Sequence, residues 1–172
     1  MKNKESKQCR MTTCLFLVYL IVLTWIILFK MGFSIQELGH FRGINLIPFE
    51  GSVIVNNKID FSEIYANVLV FVPFGLYISM LKSNWPFLKK VLPIAGVSLL
   101  YEVLQFILAI GASDITDFIG NTLGGIIGIG IYFVIRKIFK TENQTNKILN
   151  IIALIATICI VIFLSFLTLA NA

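Results

Sequence analysis

The sequence predicts an all-α membrane protein, a polytopic bundle of about five transmembrane helices. Three observations carry that reading. Of the 172 residues, 58% are hydrophobic and 13% are charged, where a soluble domain carries about 25% charge. The mean hydropathy is +0.90. Five stretches approach the ~20 apolar residues that cross a bilayer. Little chain is left for a soluble domain beside them, so one membrane domain is expected.

The first span is expected from about Thr13 to Met31, "TCLFLVYLIVLTWIILFKM". Lys2, Lys4, Lys7 and Arg10 precede it, as in a secretory leader. It is long for a leader's apolar core, and no clear small-residue cleavage site follows, so it is expected to be retained. The second span is expected from about Ser62 to Leu81 and holds Pro73, which would kink it and widen a neighbouring cavity. The third runs from about Val91 to Ile110 and the fourth from about Asp114 to Ile138. In the fourth, Gly120, Gly124 and Gly128 recur every four residues, a spacing that lets a neighbouring helix approach closely. The fifth runs from about Ile148 to Leu169. Residues 1–12 then form a cytoplasmic tail, and 13–138 a membrane domain of four spans with an outer loop over 32–61. Residues 139–172 add a cytoplasmic link and a further span.

Basic residues set the expected orientation. Lys2, Lys4, Lys7 and Arg10 precede the first span; Lys82, Lys89 and Lys90 lie between the second and third. Arg136, Lys137, Lys140 and Lys147 lie between the fourth and fifth. Those eleven share one side, against Lys30, Arg42 and Lys58 on the other. The bias puts the N-terminus in the cytoplasm and the C-terminus outside. The pI near 9.2 therefore reports orientation rather than a nucleic-acid partner. Cys9, Cys14 and Cys159 have no disulfide or metal-ligand spacing and read as small apolar packing residues.

The connection from Gly32 to Phe61 is long for a structureless loop, and such loops usually carry function. Its "FRGINLIPFEG" mixes Arg42 and Asn45 with apolar residues. Ile44 to Phe49 is expected to dip into the outer headgroup region or to cover the span mouths. His40, the lone histidine, reads as an ordinary loop residue, with proton transfer as the alternative.

The stretch "EVLQFILAIGASDITDFIGN", Glu102 to Asn121, gathers polar residues where two spans meet. Glu102 lies roughly 12 Å below the outer end of the third span at the α-helical rise. Gln105 shares its helix face. After a short "GAS" connection, Asp114, Asp117 and Asn121 fall at i, i+3 and i+7 of the fourth span, again on one face. Asn67, early in the second span, lies on the same side, as do Arg42 and Asn45. All can converge on one cavity that opens outward or sideways into the outer leaflet. A charge near a bilayer centre costs about 2.5–3.5 kcal/mol on insertion scales. Glu102 should therefore face the bundle interior, either protonated or paired with Arg42. Each residue also has a structural reading. Asp114 and Asp117 suit a helix N-terminus, Gln105 and Asn121 suit interhelical hydrogen bonds, and Glu102 suits a buried structural acid. No phosphate-binding glycine loop, zinc-type cluster or nucleophile elbow is present.

"RGINLIPF", "NVLVFVPFG" and "YEVLQFILAIGASDITDFIGNTLGG" together resemble the signature blocks of the VanZ-like family. The resemblance spans roughly Trp25 to Tyr132 in the expected order. It implies a multi-pass protein of the bacterial cytoplasmic membrane linked to glycopeptide resistance, specifically to teicoplanin. The recurrent polar positions it carries over are Arg42, Asn45, Asn67, Glu102, Gln105, Asp114, Asp117 and Asn121. Likeness of the family to a wider group that includes phosphatidylserine synthases implies, by analogy, chemistry on lipid headgroups.

Two functions stay in competition. As an enzyme, the protein would admit the headgroup of a lipid or a lipid-linked cell-wall precursor. Glu102 would be its general acid or base, with Asp117 and Asp114 orienting it or holding a divalent cation. Arg42 would pair with a phosphate, and Asn45, Asn67, Gln105 and Asn121 would bind the substrate or fix the carboxylates. As a binding protein, the same pocket would sequester teicoplanin by its acyl chain, or hold a cell-wall lipid, without chemistry. A conduit is the weaker third reading, because the cytoplasmic halves of the spans lack matching polar residues.

Overall fold

A computed structural model describes residues 2–29, 41–48, 54–55, 58–59 and 61–170. Five helices dominate it: α1 (Lys2–Phe29), α2 (Ser62–Leu81), α3 (Phe87–Leu108), α4 (Ile115–Phe139) and α5 (Glu142–Ala170). Each contains a segment long and apolar enough to cross a membrane: Lys7–Leu28, Ser62–Leu81, Phe87–Leu108, Ile115–Phe139 and Glu142–Phe163. The five expected spans are all present, shifted by a few residues. Residues 2–12, ahead of the expected first span, are helical and continuous with it in α1.

Four short strands interrupt the helices: β1 (Phe41–Asn45), β2 (Ile54–Val55), β3 (Lys58–Ile59) and β4 (Ile110–Asp114). β2 and β3 form a small antiparallel pair. β1 and β4 pair in parallel, Phe41 opposite Ile110 through Asn45 opposite Asp114. The "GAS" connection is therefore not a bare turn, and Asp114 ends a strand rather than beginning the fourth helix. The physical reason is backbone need. Where a chain reverses between two spans, its N–H and C=O groups require partners, and β1, from the connection ahead of α2, supplies them. His40 and Phe49 lie outside the described residues.

Local chemistry explains where the helices stop. α3 ends at Ala109, which adopts the left-handed conformation (φ 56°) and donates its N–H to the Phe106 carbonyl at 3.2 Å. A left-handed residue closes a helix by meeting its last carbonyls. α4 ends at Lys140, also left-handed (φ 60°). α5 then starts on a threonine N-cap. The Thr141 hydroxyl accepts from Gln144 N–H at 3.4 Å and donates to Gln144 Oε1 at 3.0 Å. Both Pro73 in α2 and Pro93 in α3 sit inside helices that continue through them.

Contacts divide the chain into two units, Met1–Ile21 with Phe133–Ala172, and Val22–Tyr132. In the first, the Thr12 hydroxyl lies 3.0 Å from the Asn150 amide oxygen, joining α1 to α5. In the second, glycines let the backbones of α2 and α4 meet. A Cβ on Gly124 would strike the Val68 carbonyl, one on Gly128 the Val72 carbonyl, and one on Gly75 the Gly125 carbonyl. The Gly120–Gly124–Gly128 face thus packs on α2 as its spacing predicts, although Gly120 is the looser member, 3.6 Å from Asn67 Cβ. Gly125 faces α3, where an added Cβ would meet Ile94. Phe71 is fully buried, stacks on Phe74 at 6.0 Å and meets Tyr101 edge-on at 6.4 Å. Thr24 of α1 bonds the Tyr101 hydroxyl at 2.9 Å. Cys9, Cys14 and Cys159 are free thiols.

Candidate functional site

The polar residues gather where β1, β4, α3 and the start of α4 meet, all inside the Val22–Tyr132 unit. Ile94, Ser98, Tyr101, Glu102 and Gln105 form the buried face of α3. The spacing is helical, so an acid, an amide and a hydroxyl are carried inward together. Glu102 is 5% exposed. Its Oε2 accepts the Asp114 N–H at 2.9 Å, and its backbone carbonyl accepts the Ser113 hydroxyl at 2.6 Å. The carboxylate therefore sits at the entry to α4, where the helix dipole favours negative charge.

Asp114 is held from three sides. Its Oδ1 accepts the Thr116 N–H at 2.7 Å, the geometry of an N-cap. Its Oδ2 accepts from Asn45 Nδ2 at 3.0 Å. Asn45 in turn accepts the Ile47 N–H at 3.1 Å through Oδ1, which fixes the orientation of its amide. Asn45 and Asp114 meet because the parallel register of β1 and β4 ends on them. One turn into α4, Asp117 accepts from Asn67 Nδ2 at 2.6 Å and so ties α4 to α2.

The structure thus joins Glu102, Asp114 and Asn45 in one network, and Asp117 and Asn67 in a second. Gln105 turns toward α1 and donates to the Ile27 carbonyl at 3.1 Å, leaving its Oε1 unmet. Asn121 is 1% exposed, and neither its Nδ2 nor its Oδ1 has a partner. Arg42 lies in β1 opposite Gly111; its side chain is outside the described set. Sequence reasoning passed over Ser113, although a Ser-Asp pair ahead of an apolar run is itself a helix-start signal. It also passed over Ser98, Thr122 and the Thr24–Tyr101 link, which no spacing rule singles out.

A cleft of about 190 Å³ opens beside this network. It is lined by Asn45, Glu102, Ser113 and Asp114 together with Leu46, Leu99, Val103 and Phe118, but its open surface is almost wholly apolar, the polar atoms being turned into the network. Leu99, Val103 and Leu46 are 54%, 45% and 73% exposed, so the wall continues onto the outer surface of α3 and the end of β1. Among the described residues no group of three or more His, Cys, Asp and Glu gathers as a metal site. Each Asp114 oxygen already accepts one hydrogen bond, from Thr116 and from Asn45, which takes up about half of the carboxylate's acceptor capacity.

A VanZ/LLP1 family model matches residues 16–140. Over 148 residues the chain is 32% identical to Protein VanZ of Enterococcus faecium, covering 85% of this chain and 88% of that protein. No solved structure matches the chain. With one sequence block falling on α2 and the others on the α3, α4 and β1–β4 elements that line the cleft, and a family match running across all of them, the chain belongs to the VanZ/LLP1 family.

Proposed function

We propose that this chain is a teicoplanin-resistance protein of the bacterial cytoplasmic membrane, and that its cleft takes a lipid headgroup or lipid-linked precursor from the outer leaflet. The observation that supports this is an apolar cleft set directly against a buried carboxylate-and-amide network. A lipid has that same division, with a polar head joined to an apolar chain. Ligand pockets generally combine apolar walls with a few placed polar groups. Glu102 is the floor residue best suited to exchange a proton with a bound headgroup. Asp114 and Asp117 hold the surrounding elements, Arg42 is a candidate partner for phosphate, and Asn45, Asn67, Gln105 and Asn121 supply the remaining polar positions.

The test is Glu102→Gln at matched membrane abundance. Gln keeps an oxygen for the Asp114 N–H but cannot act as an acid or base. The expected outcome is loss of most of the teicoplanin resistance together with loss of any change in the lipid profile that the wild type produces. Undiminished resistance would sink the assignment of Glu102.

The extent of the apolar wall also favours a second reading, in which the cleft sequesters the antibiotic through its acyl chain. Lipid profiling separates the two. An unchanged lipidome together with direct binding of teicoplanin by the purified protein supports sequestration.

A further inference from the structure

Several of the described hydroxyls inside these helices share one arrangement. Thr12, Thr13, Thr145, Thr157 and Ser165 each reach the carbonyl four residues back, at 2.8–3.0 Å. That is the usual way a hydroxyl meets its need within an apolar helix. Ser98 of α3 and Thr122 of α4 do not. Their oxygens are buried and unmet, and so are both polar atoms of Asn121. Ser98 is 0% and Asn121 1% exposed. Ser79 of α2 is also unmet, but it lies at the opposite end of its helix from Asn67.

The helix register brings the other three together. Two contacts fix how α3 lies against α4: Gly125 faces Ile94, and the Asp114 N–H bonds Glu102. Ser98 is one turn from both Ile94 and Glu102. Asn121 is one turn from Gly125, on the side of α4 that faces α3. Ser98 and Asn121 therefore stand at the same level, one turn inward from Glu102. Thr122 follows Ile115 and Phe118 at helical spacing, and those two residues line the cleft.

We propose that Ser98, Asn121 and Thr122 form a neutral inner subsite beside the cleft that receives the hydroxylated head of a lipid. The chemistry favours hydroxyls over other heads. Each of the three side chains both donates and accepts, as a hydroxyl does, and none carries charge. An ammonium head would be drawn to the carboxylates of Glu102 and Asp114 instead. The tight approach of Gly125 to Ile94 closes the layer on its inner side, so it suits only a small head entering from the cleft, such as a diol, rather than a planar peptide group. An unmet buried amide is destabilising, so the ligand-free protein holds this layer at a cost that a bound diol relieves.

The inference rests on the lipid reading of the cleft, and the experiment keeps the two apart. The full-length protein is reconstituted in nanodiscs, and lipid retention is read by native mass spectrometry. The first pair of probes is phosphatidylglycerol and phosphatidylethanol, equal in charge and chains but differing in head hydroxyls. The second is polyprenyl phosphate with and without an attached hexose, which distinguishes a glycerol head from a sugar head. The wild type is expected to prefer the hydroxylated member of at least one pair by about tenfold, the worth of one or two hydrogen bonds. Asn121→Leu and the near-isosteric Thr122→Val should each bring that ratio toward one, and in Thr122→Val retention of the hydroxyl-free lipid should be unchanged. Retention of no lipid at all overturns the lipid reading itself. Equal retention of both members by the wild type overturns the subsite alone. So does a preserved preference in Thr122→Val and Asn121→Leu with raised thermal stability, which marks a dry or water-filled layer.

Discussion

At the scale of single residues, the acids beside the cleft serve the architecture as well as any ligand. Asp114 caps α4 and holds Asn45, so it joins a helix start to a strand end. Asp114→Ala should lower the melting temperature of the detergent-solubilised protein, with the lost cap alone costing about 1 kcal/mol. Asp114→Asn keeps an oxygen for the Thr116 N–H but sets its Nδ2 against the Asn45 Nδ2, so it should recover the cap's share of the loss alone. Equal melting for Asp114→Ala and wild type would show that the cap carries no stability. The polar positions themselves were legible in the sequence, because an acid or amide inside an apolar run stands out against its surroundings. Their partners were not. Asn45 finds Asp114 across the β1–β4 register, and Gln105 finds a backbone carbonyl on α1, neither of which a spacing rule anticipates. Asp114 was expected to share a helix face with Asp117, but it belongs to the strand before that helix.

At the scale of elements, the meeting of α2 and α4 depends on the absence of side chains. Gly124→Ala would place a methyl on the Val68 carbonyl, and backbone cannot move aside as a flexible side chain can. The expected penalty is about 1–3 kcal/mol or more, read as lost monodisperse protein in size-exclusion chromatography. Gly130→Ala is the matched control, since nothing lies within 4 Å of its added Cβ. It should be neutral, or slightly stabilising through helix propensity. If both variants behave alike, close packing is not what these glycines provide. The helices were legible from hydropathy, and the glycine face from its spacing of four. The β1–β4 ribbon was hidden for a physical reason. "IGASD" is too short and too mixed to show a period of two, and its partner lies far along the chain.

At the scale of the whole molecule, the five apolar helices follow directly from composition, and orientation follows from loop charge. With eleven Lys and Arg on one side and three on the other, the N-terminus is expected inside and the C-terminus outside. A phosphatase reporter that is active only outside the membrane should be active when fused after Ala172 and silent when fused before Met1. The reverse pattern would refute the charge-based topology and place the cleft on the cytoplasmic leaflet. The grouping of α5 with the start of α1 could not be read from the sequence. It rests on side-chain matching such as Thr12 with Asn150, which hydropathy does not encode.

The parallel ribbon has a consequence for biogenesis. β1 precedes β4 by 69 residues, and α2 and α3 lie between them. At ~5–20 residues per second, translation leaves β1 without its partner for roughly 3–14 seconds. Two more helices must enter the bilayer before the strand can close. Until then its backbone groups depend on water, lipid headgroups or the insertion machinery. Chains arrested after α3 should accordingly be far more sensitive to membrane proteases than chains extended through α4. The cleft, whose floor includes the last pair of that ribbon, comes into existence only when the ribbon closes.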